Sequence, residues 1–158
     1  MPQAAHIPRE LYTLFIAMLP VSELRGAIPY ALSAGLSWQQ SYFWAVLGNF
    51  IPVIPLLAFL GPISEALSRR FDLWRRFFDW LFARTRRRGK VVERYEALGL
   101  ILFVAIPLPV TGAWTGTVAA FLFGIRFRYA LPAILLGILL AGTVVTLASL
   151  GAISLWTL

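Results

Sequence analysis

Charge and cysteine are what this chain has least of. Of its 158 residues only 13% are charged while 59% are hydrophobic, and the mean hydropathy is +0.78. That composition lies outside ordinary soluble domains and within the range of membrane proteins, and the length suits a single domain, residues 1–158. The absence of Cys removes disulfides, thiolate metal sites and thiol nucleophiles, and leaves the redox compartment open. The single histidine, His6, lies in a polar leader, and both aspartates, Asp72 and Asp79, lie in a basic middle stretch. A Ser-His-Asp triad therefore has no source. The sequence also contains no Gly-x-Ser-x-Gly elbow, phosphate loop or two-His metal motif. An enzyme is not expected, nor a cofactor or a metal, and His6 reads as a solvated terminal residue. The first apolar run, residues 11–19, has no small-residue cleavage site after it, so the N-terminus is expected to stay on the protein.

What charge there is falls in one place. Of the 14 Lys and Arg, ten lie between positions 69 and 94, and only Arg9, Arg25, Arg126 and Arg128 lie elsewhere. By the positive-inside rule the middle segment, about residues 64–96, is expected in the cytoplasm and the protein in the inner (plasma) membrane. The rule outweighs a nucleic-acid reading, because no folded nucleic-acid reader accompanies the basic run. Within it, Leu67, Phe71, Trp74, Phe78 and Leu81 follow helical spacing, with Arg69, Arg70 and Arg76 largely off that face. This predicts a helix over 67–82 lying in the headgroup layer, its aromatic face in acyl chains and its arginines near anionic lipid phosphates. The alternative is a helix packed on a partner subunit. The following ARTRRRGK is expected to be a solvated loop.

The flanks look like one pattern written twice, about 8–63 and 97–152. A shift of 89 residues places Leu19-Pro20-Val21-Ser22 on Leu108-Pro109-Val110-Thr111, Ala31 on Ala120, Gly35 on Gly124 and Leu47-Gly48 on Leu136-Gly137. Each half runs in the order short apolar run, Leu-Pro break, short run rich in small residues, long apolar span. A crossing helix needs about 20 apolar residues. Residues 42–60 and 129–150 qualify, the first with a kink expected at Pro52 and Pro55; the short runs do not. Short runs on either side of a Pro break fit half-helices that enter and leave by the same face, tolerated only where protein or a watery cavity satisfies the backbone. The expected fold is an all-α integral membrane protein: an inverted repeat of re-entrant helical hairpin plus spanning helix, joined by the basic amphipathic helix. The loop around 36–41 would face out and that around 125–129 in, so the hairpin tips meet near the midplane.

The stretches LPVSELRGAIPYALSAG and PLPVTGAWTGTVAAFLFG, with the short length and basic middle, resemble the bacterial and archaeal membrane family called putative small multidrug export proteins. The likeness covers roughly residues 11–152. An acidic residue in a Pro-broken first hairpin, the Ala34-Gly35 step and the repeated plan are more distantly similar to DedA membrane proteins, associated with moving lipid carriers and with proton-dependent drug resistance. That likeness implies that Glu23 stands at the family's acidic position. The second DedA hairpin usually carries arginines around its break, and Ile106-Pro107-Leu108-Pro109-Val110-Thr111-Gly112 carries none.

Two charges near a hairpin tip cost about 2.5 to 3.5 kcal/mol each at the bilayer centre unless paired or hydrated, so Glu23 and Arg25 are the candidate substrate or proton site. Arg25 suits a phosphate or carboxylate, helped by half-helix N-termini after Pro20 and Pro109. A cationic drug would instead need Glu23 free, with Trp114 as a cation–π face. The structural alternative is a salt bridge, or bonds to the opposite hairpin's carbonyls, that only fixes the break. Ser22 and Thr111 are expected to cap half-helices, while Pro20, Pro29, Pro107 and Pro109 break the hairpins. Gly26, Gly112 and Gly116 allow close helix approach. The expected function is a small-molecule or drug exporter, with proton coupling as one mode of drive, working as a homodimer. The alternatives are translocation of a phosphate-bearing lipid carrier such as a polyprenyl phosphate, or a non-transporting scaffold on anionic lipid. Expected partners are membrane lipids and a small-molecule or lipid-linked substrate, not nucleic acid.

Overall fold

A computed structural model describes residues 8–86, 90–108 and 111–156, and among these the chain is helical with no strand. Eight helices follow in order: α1 (Arg9–Met18), α2 (Glu23–Ser33), α3 (Trp38–Phe50), α4 (Val53–Arg70), α5 (Asp72–Arg86), α6 (Lys90–Ala105), α7 (Ala113–Leu122) and α8 (Phe127–Trp156).

Local chemistry sets the boundaries. α1 stops where Leu19 adopts an extended backbone, φ −74° and ψ 136°, as a residue before proline must when the ring of Pro20 crowds the helical region. α2 and α7 both end in a Schellman motif. Gly35 (φ 88°) and Gly124 (φ 67°) supply the left-handed turn. The next residue's N–H reaches back to Ala31 O in one case (3.0 Å, from Leu36) and to Ala120 O in the other (2.9 Å, from Ile125), so the last carbonyls are satisfied before the chain reverses. Leu36 and Ile125 tuck into the core after these turns. Ser37 and Gln40 then form a reciprocal capping box that starts α3.

Several sequence expectations need correction. Pro29 does not break a hairpin but lies inside α2, where its ring denies the Arg25 carbonyl an intrahelical donor. The kinked first span is two helices, α3 and α4, separated at Ile51-Pro52. The helix expected over 67–82 is divided at Phe71: α4 continues to Arg70 and α5 begins at Asp72. The expected loop ARTRRRGK is helical to Arg86 and again from Lys90; residues 87–89 lie outside the described residues, as do Pro109 and His6. Phe71, Leu73, Phe77 and Trp80 are exposed along α5, and Arg69, Arg70 and Arg76 are also exposed. An ion pair joins Asp72 to Arg75 at 3.8 Å. The side chains of Leu67, Trp74, Phe78 and Leu81 are outside the described set.

Two stretches are long and apolar enough to cross a membrane, Trp38–Ala66 and Phe127–Leu155, with mean hydropathies of 2.0 and 2.4. Only 33% and 44% of them is buried inside the protein. A soluble protein's core helix would hide such a surface; here Phe43, Ile54, Phe59, Leu136, Leu140 and Leu147 are exposed, as suits a surface facing lipid.

Where lipid is the surroundings, apolar burial drives helices together weakly, and close packing of small residues takes over. The core has that character: Ala17, Ala27, Ala31, Ala45, Ala113, Ala120 and Ala130 are fully buried around Ile28, Ile134 and Ile138. α1 packs on α3, and α6 on α8. In each pair a glycine allows the contact. A Cβ on Gly48 would fall on the Leu14 carbonyl and lie 2.9 Å from the Ala17 methyl; one on Gly137 would lie 2.6 Å from the Val104 Cβ and 3.0 Å from the Ile101 carbonyl. α2 packs on α3 and also on α8, while α7 packs on α8 and also on α4. Each second short helix therefore touches the long helices of both halves, and the two Pro breaks come together. The Tyr42 hydroxyl donates to the Leu139 carbonyl at 3.0 Å, tying α3 to α8.

Candidate functional site

The two breaks, far apart in sequence, are joined by three polar contacts. The first belongs to Glu23, the opening residue of α2. Its backbone is left-handed at φ 43°, a conformation that costs a residue with a Cβ about 1–2 kcal/mol, and its side chain is 95% buried. From there the carboxylate crosses to the start of α7, where Oε1 accepts the Trp114 backbone N–H at 3.3 Å. A helix begins with four N–H groups that have no partner within it, and an anion at that end is favoured by the helix dipole. Glu23 therefore caps the helix of the other half. Gly112 makes this possible, because a Cβ there would fall on the Glu23 carboxylate, 2.6 Å from its Cδ and 2.7 Å from Oε1.

The second contact is Arg25 Nη2 donating to the Thr111 carbonyl at 2.8 Å. The third is the Trp114 ring N–H donating to the Met18 carbonyl at 3.1 Å, one of the carbonyls left open where α1 stops. Glu23 and Arg25 do not pair with each other within 4.0 Å; among the described residues the ion pair found is that of Asp72 and Arg75. Of the alternatives drawn from sequence, bonding to the opposite half's backbone is the one the geometry has. Trp114, expected as a cation–π face for a cationic drug, donates its ring N–H to Met18; the arginine over a ring among the described residues is Arg128, 4.9 Å from the centroid of Tyr129.

The expected hydroxyl caps are corrected as well. Ser22 stands at the N-cap of α2 with helical backbone and makes no capping bond. Thr111 precedes Gly112, which is the N-cap of α7 and likewise lacks a side-chain cap. The Thr111 hydroxyl instead donates to the Ile106 carbonyl and accepts the Leu108 N–H at 3.0 Å. It knots the second break, while Glu23 does the capping. Gly116 serves close approach as expected, since a Cβ there would fall on a Val104 methyl of α6; a Cβ on Gly26 would instead crowd the Ser22 Cβ at the start of its own helix (2.9 Å) and meet Ile16 of α1 at an ordinary 3.6 Å. Pro20 is exposed at the first break.

A cavity of about 10 Å³ lies at this junction, lined by Glu23, Arg25, Asn49, Thr111, Gly112 and Pro107 among others. Asn49 was missed by sequence reasoning. It is the chain's single Asn, set in the apolar run of the first long span beside the repeated Gly48, and that isolation was the available signal. Beyond Arg25 and Pro107, which line both spaces, a groove of about 640 Å³ runs between α2 and α8. Its walls are largely apolar, including Pro29, Leu32, Val144, Ala148 and Ile153. One buried carboxylate, one guanidinium, freed helix-end N–H groups and an apolar groove meet at one place. Chemically, that combination can hold an acidic group at its polar end and a hydrocarbon body along the groove.

The family of putative small multi-drug export proteins matches residues 23–144, well over half of the chain. This chain belongs to that family. The match begins at Glu23, just after the first break, and takes in the second break, α7 and most of α8, so it contains all the polar contacts of the junction except the Met18 carbonyl. No curated protein and no solved structure matched.

Proposed function

We propose that this protein is a membrane exporter of small amphiphilic molecules, with its site where the two breaks meet and with Glu23 carrying the coupling proton. The observation that bears most weight is the crossing of Glu23 onto the N-terminus of α7. An intramembrane carboxylate held in an unfavourable backbone conformation, bonded to the backbone of the opposite half, is a latch that a proton can open. A carboxylate receives a charge-assisted bond about twice as strong as a neutral carboxyl does. Proton uptake therefore weakens the cap, and the Trp114 N–H becomes available to a substrate's acidic group, with Arg25 beside it. Loss of the proton to the opposite side restores the cap and expels the substrate.

The architecture that fits is an inverted repeat. The order short helix, break, short helix, long span occurs twice. The turns at Gly35 and Gly124 are built alike, and Gly48 and Gly137 do the same work in their halves. With the basic segment in the cytoplasm of an inner-membrane protein, α1–α2 and α6–α7 become re-entrant hairpins entering from opposite faces. Two long spans leave the groove open on one side, and a second copy of the chain is the expected wall. One observation favours a second reading, translocation of a phosphate-bearing lipid carrier: the groove is apolar along its length and ends at Arg25.

Proteoliposomes loaded with anionic or cationic amphiphilic dyes test the proposal. Wild-type protein should export the anion in response to an imposed pH gradient. Glu23→Gln should bind the dye yet lose the pH dependence, because an amide keeps the shape and cannot exchange a proton. Arg25→Ala should weaken binding of the anion at least tenfold, one charge-assisted bond being worth about 1.5–3 kcal/mol. Undiminished pH-driven export by a variant with both residues replaced by Leu would refute the site. Export of cations alone would refute the anion preference, and vesicle binding without transport would favour a scaffold.

A further inference from the structure

Asn49 is 1% exposed, and its Oδ1 accepts no hydrogen bond from the described residues. A buried amide oxygen with no donor is costly, so such an atom in a native core calls for a partner. Asn49 lines the same small cavity as Glu23, Thr111 and Gly112. That cavity, about 10 Å³, is at the lower limit for a single water molecule, which needs about 10–15 Å³ and two to four polar neighbours.

A monovalent cation fits this lining poorly. The oxygens at the cavity with capacity to spare are Asn49 Oδ1 and the Glu23 carboxylate; the Thr111 carbonyl takes Arg25, the Gly112 carbonyl takes the Gly116 N–H, and the Thr111 hydroxyl is engaged on its own loop. The guanidinium of Arg25 is the charged group facing Glu23 along this wall, and its sign repels a cation. Water has the matching chemistry, with one O–H donor for Asn49 Oδ1, which lacks one among the described residues, and one for the Glu23 carboxylate, whose oxygens can accept more than the Trp114 N–H.

We infer that Asn49 and Glu23 hold one ordered water between them, and that this water is the port through which Glu23 exchanges its proton. In that exchange the water gives a proton to a Glu23 carboxylate oxygen and regains one from water reaching the groove past Arg25 and Pro107, which line both spaces. Asn49 fixes the water without titrating. The second half of this inference rests on the exporter reading; the water site itself does not.

Infrared difference spectroscopy of the full chain in lipid nanodiscs separates the two, because it needs no transport. A pH step should change a carboxyl C=O band that disappears in Glu23→Gln, together with a bound-water O–H band that shifts when the solvent is enriched in oxygen-18. Asn49→Leu should lose the water band, keep the carboxyl band and slow its response to the pH step at least tenfold. Asn49→Ser, which puts a hydroxyl in place of the amide and adds room, should retain the water band if the Leu variant does not fold. A wild-type spectrum with no isotope-sensitive band, or an unaltered band in Asn49→Leu, would overturn the site. So would a high-resolution structure with the Asn49 amide bonded directly to Glu23. A water band that persists while proteoliposomes show no pH-driven export would leave the site standing and remove the exporter reading.

Discussion

Replacing Gly112 with Ala perturbs a single point in this molecule. The new methyl would occupy the place of the Glu23 carboxylate, and the side chain must leave the N-terminus of α7. The Trp114 backbone N–H then loses a charged acceptor; at about 1.5–3 kcal/mol for a bond to a charged group, the expected loss is about 2 kcal/mol. For a chain of this size that is a fall of roughly 4–8 °C in the apparent unfolding midpoint, read by circular dichroism in detergent. Ala also tolerates the backbone of position 112 (φ 158°) less well than Gly, so the single variant cannot assign the cause. A double-mutant cycle does, since the backbone effect cancels. In a Glu23→Ala background there is no carboxylate to evict, and Gly112→Ala should cost less than in the wild type by at least about 1.5 kcal/mol, the value of one lost charged bond. Additive costs would mean that Glu23 does not cap α7 and that the latch reasoning is wrong.

Other consequences can be measured in parallel. Single Cys residues at Gln39, Asp79 and Arg126, cheap to place in a chain with no native Cys, should react with an impermeant thiol reagent from outside, inside and inside respectively; equal sidedness of 39 and 126 would end the inverted-repeat reading. Gly48→Leu and Gly137→Leu should each destabilise by about 3 kcal/mol, the upper part of the overpacking range, and by similar amounts, since both force a short helix off a long one. Gly35→Ala and Gly124→Ala should each cost about 1 kcal/mol, the penalty of a Cβ in a left-handed turn, seen as lowered midpoints with dye binding intact. Ser37→Ala should cost about 1 kcal/mol through the lost capping box, with no counterpart in the second half.

Much of the helix plan was legible because its signals are local. Leu-Pro dipeptides and two long apolar runs need no tertiary partner to act. The division at Phe71 was hidden, since helical spacing runs straight through it and no proline or glycine marks the place. The separation of α3 from α4 was half visible: Pro52 announced a disturbance, but whether a proline kinks or ends a helix depends on what takes up the freed carbonyls. At the junction, Glu23 and Arg25 stood out by the cost of charge in an apolar chain. Their partners could not be read, because Glu23 bonds to backbone, and backbone N–H groups at a helix start look the same in every sequence. Thr111 shows the same limit: its place beside a break suggested a cap, and only the path of the loop turned its hydroxyl toward Ile106.

The bond from Glu23 to Trp114 spans 91 residues, and this bears on how the protein is made. Synthesis at about 5–20 residues per second leaves the first hairpin in the membrane for roughly 5 to 18 seconds before α7 emerges. During that interval the carboxylate has no helix end to cap and the first break stays open. The nascent chain is then a half-built protein whose Glu23 carboxylate lacks the helix start that it caps in the finished fold. A chain truncated before α7 should therefore be cleared quickly, and two separately encoded halves should survive only when expressed together.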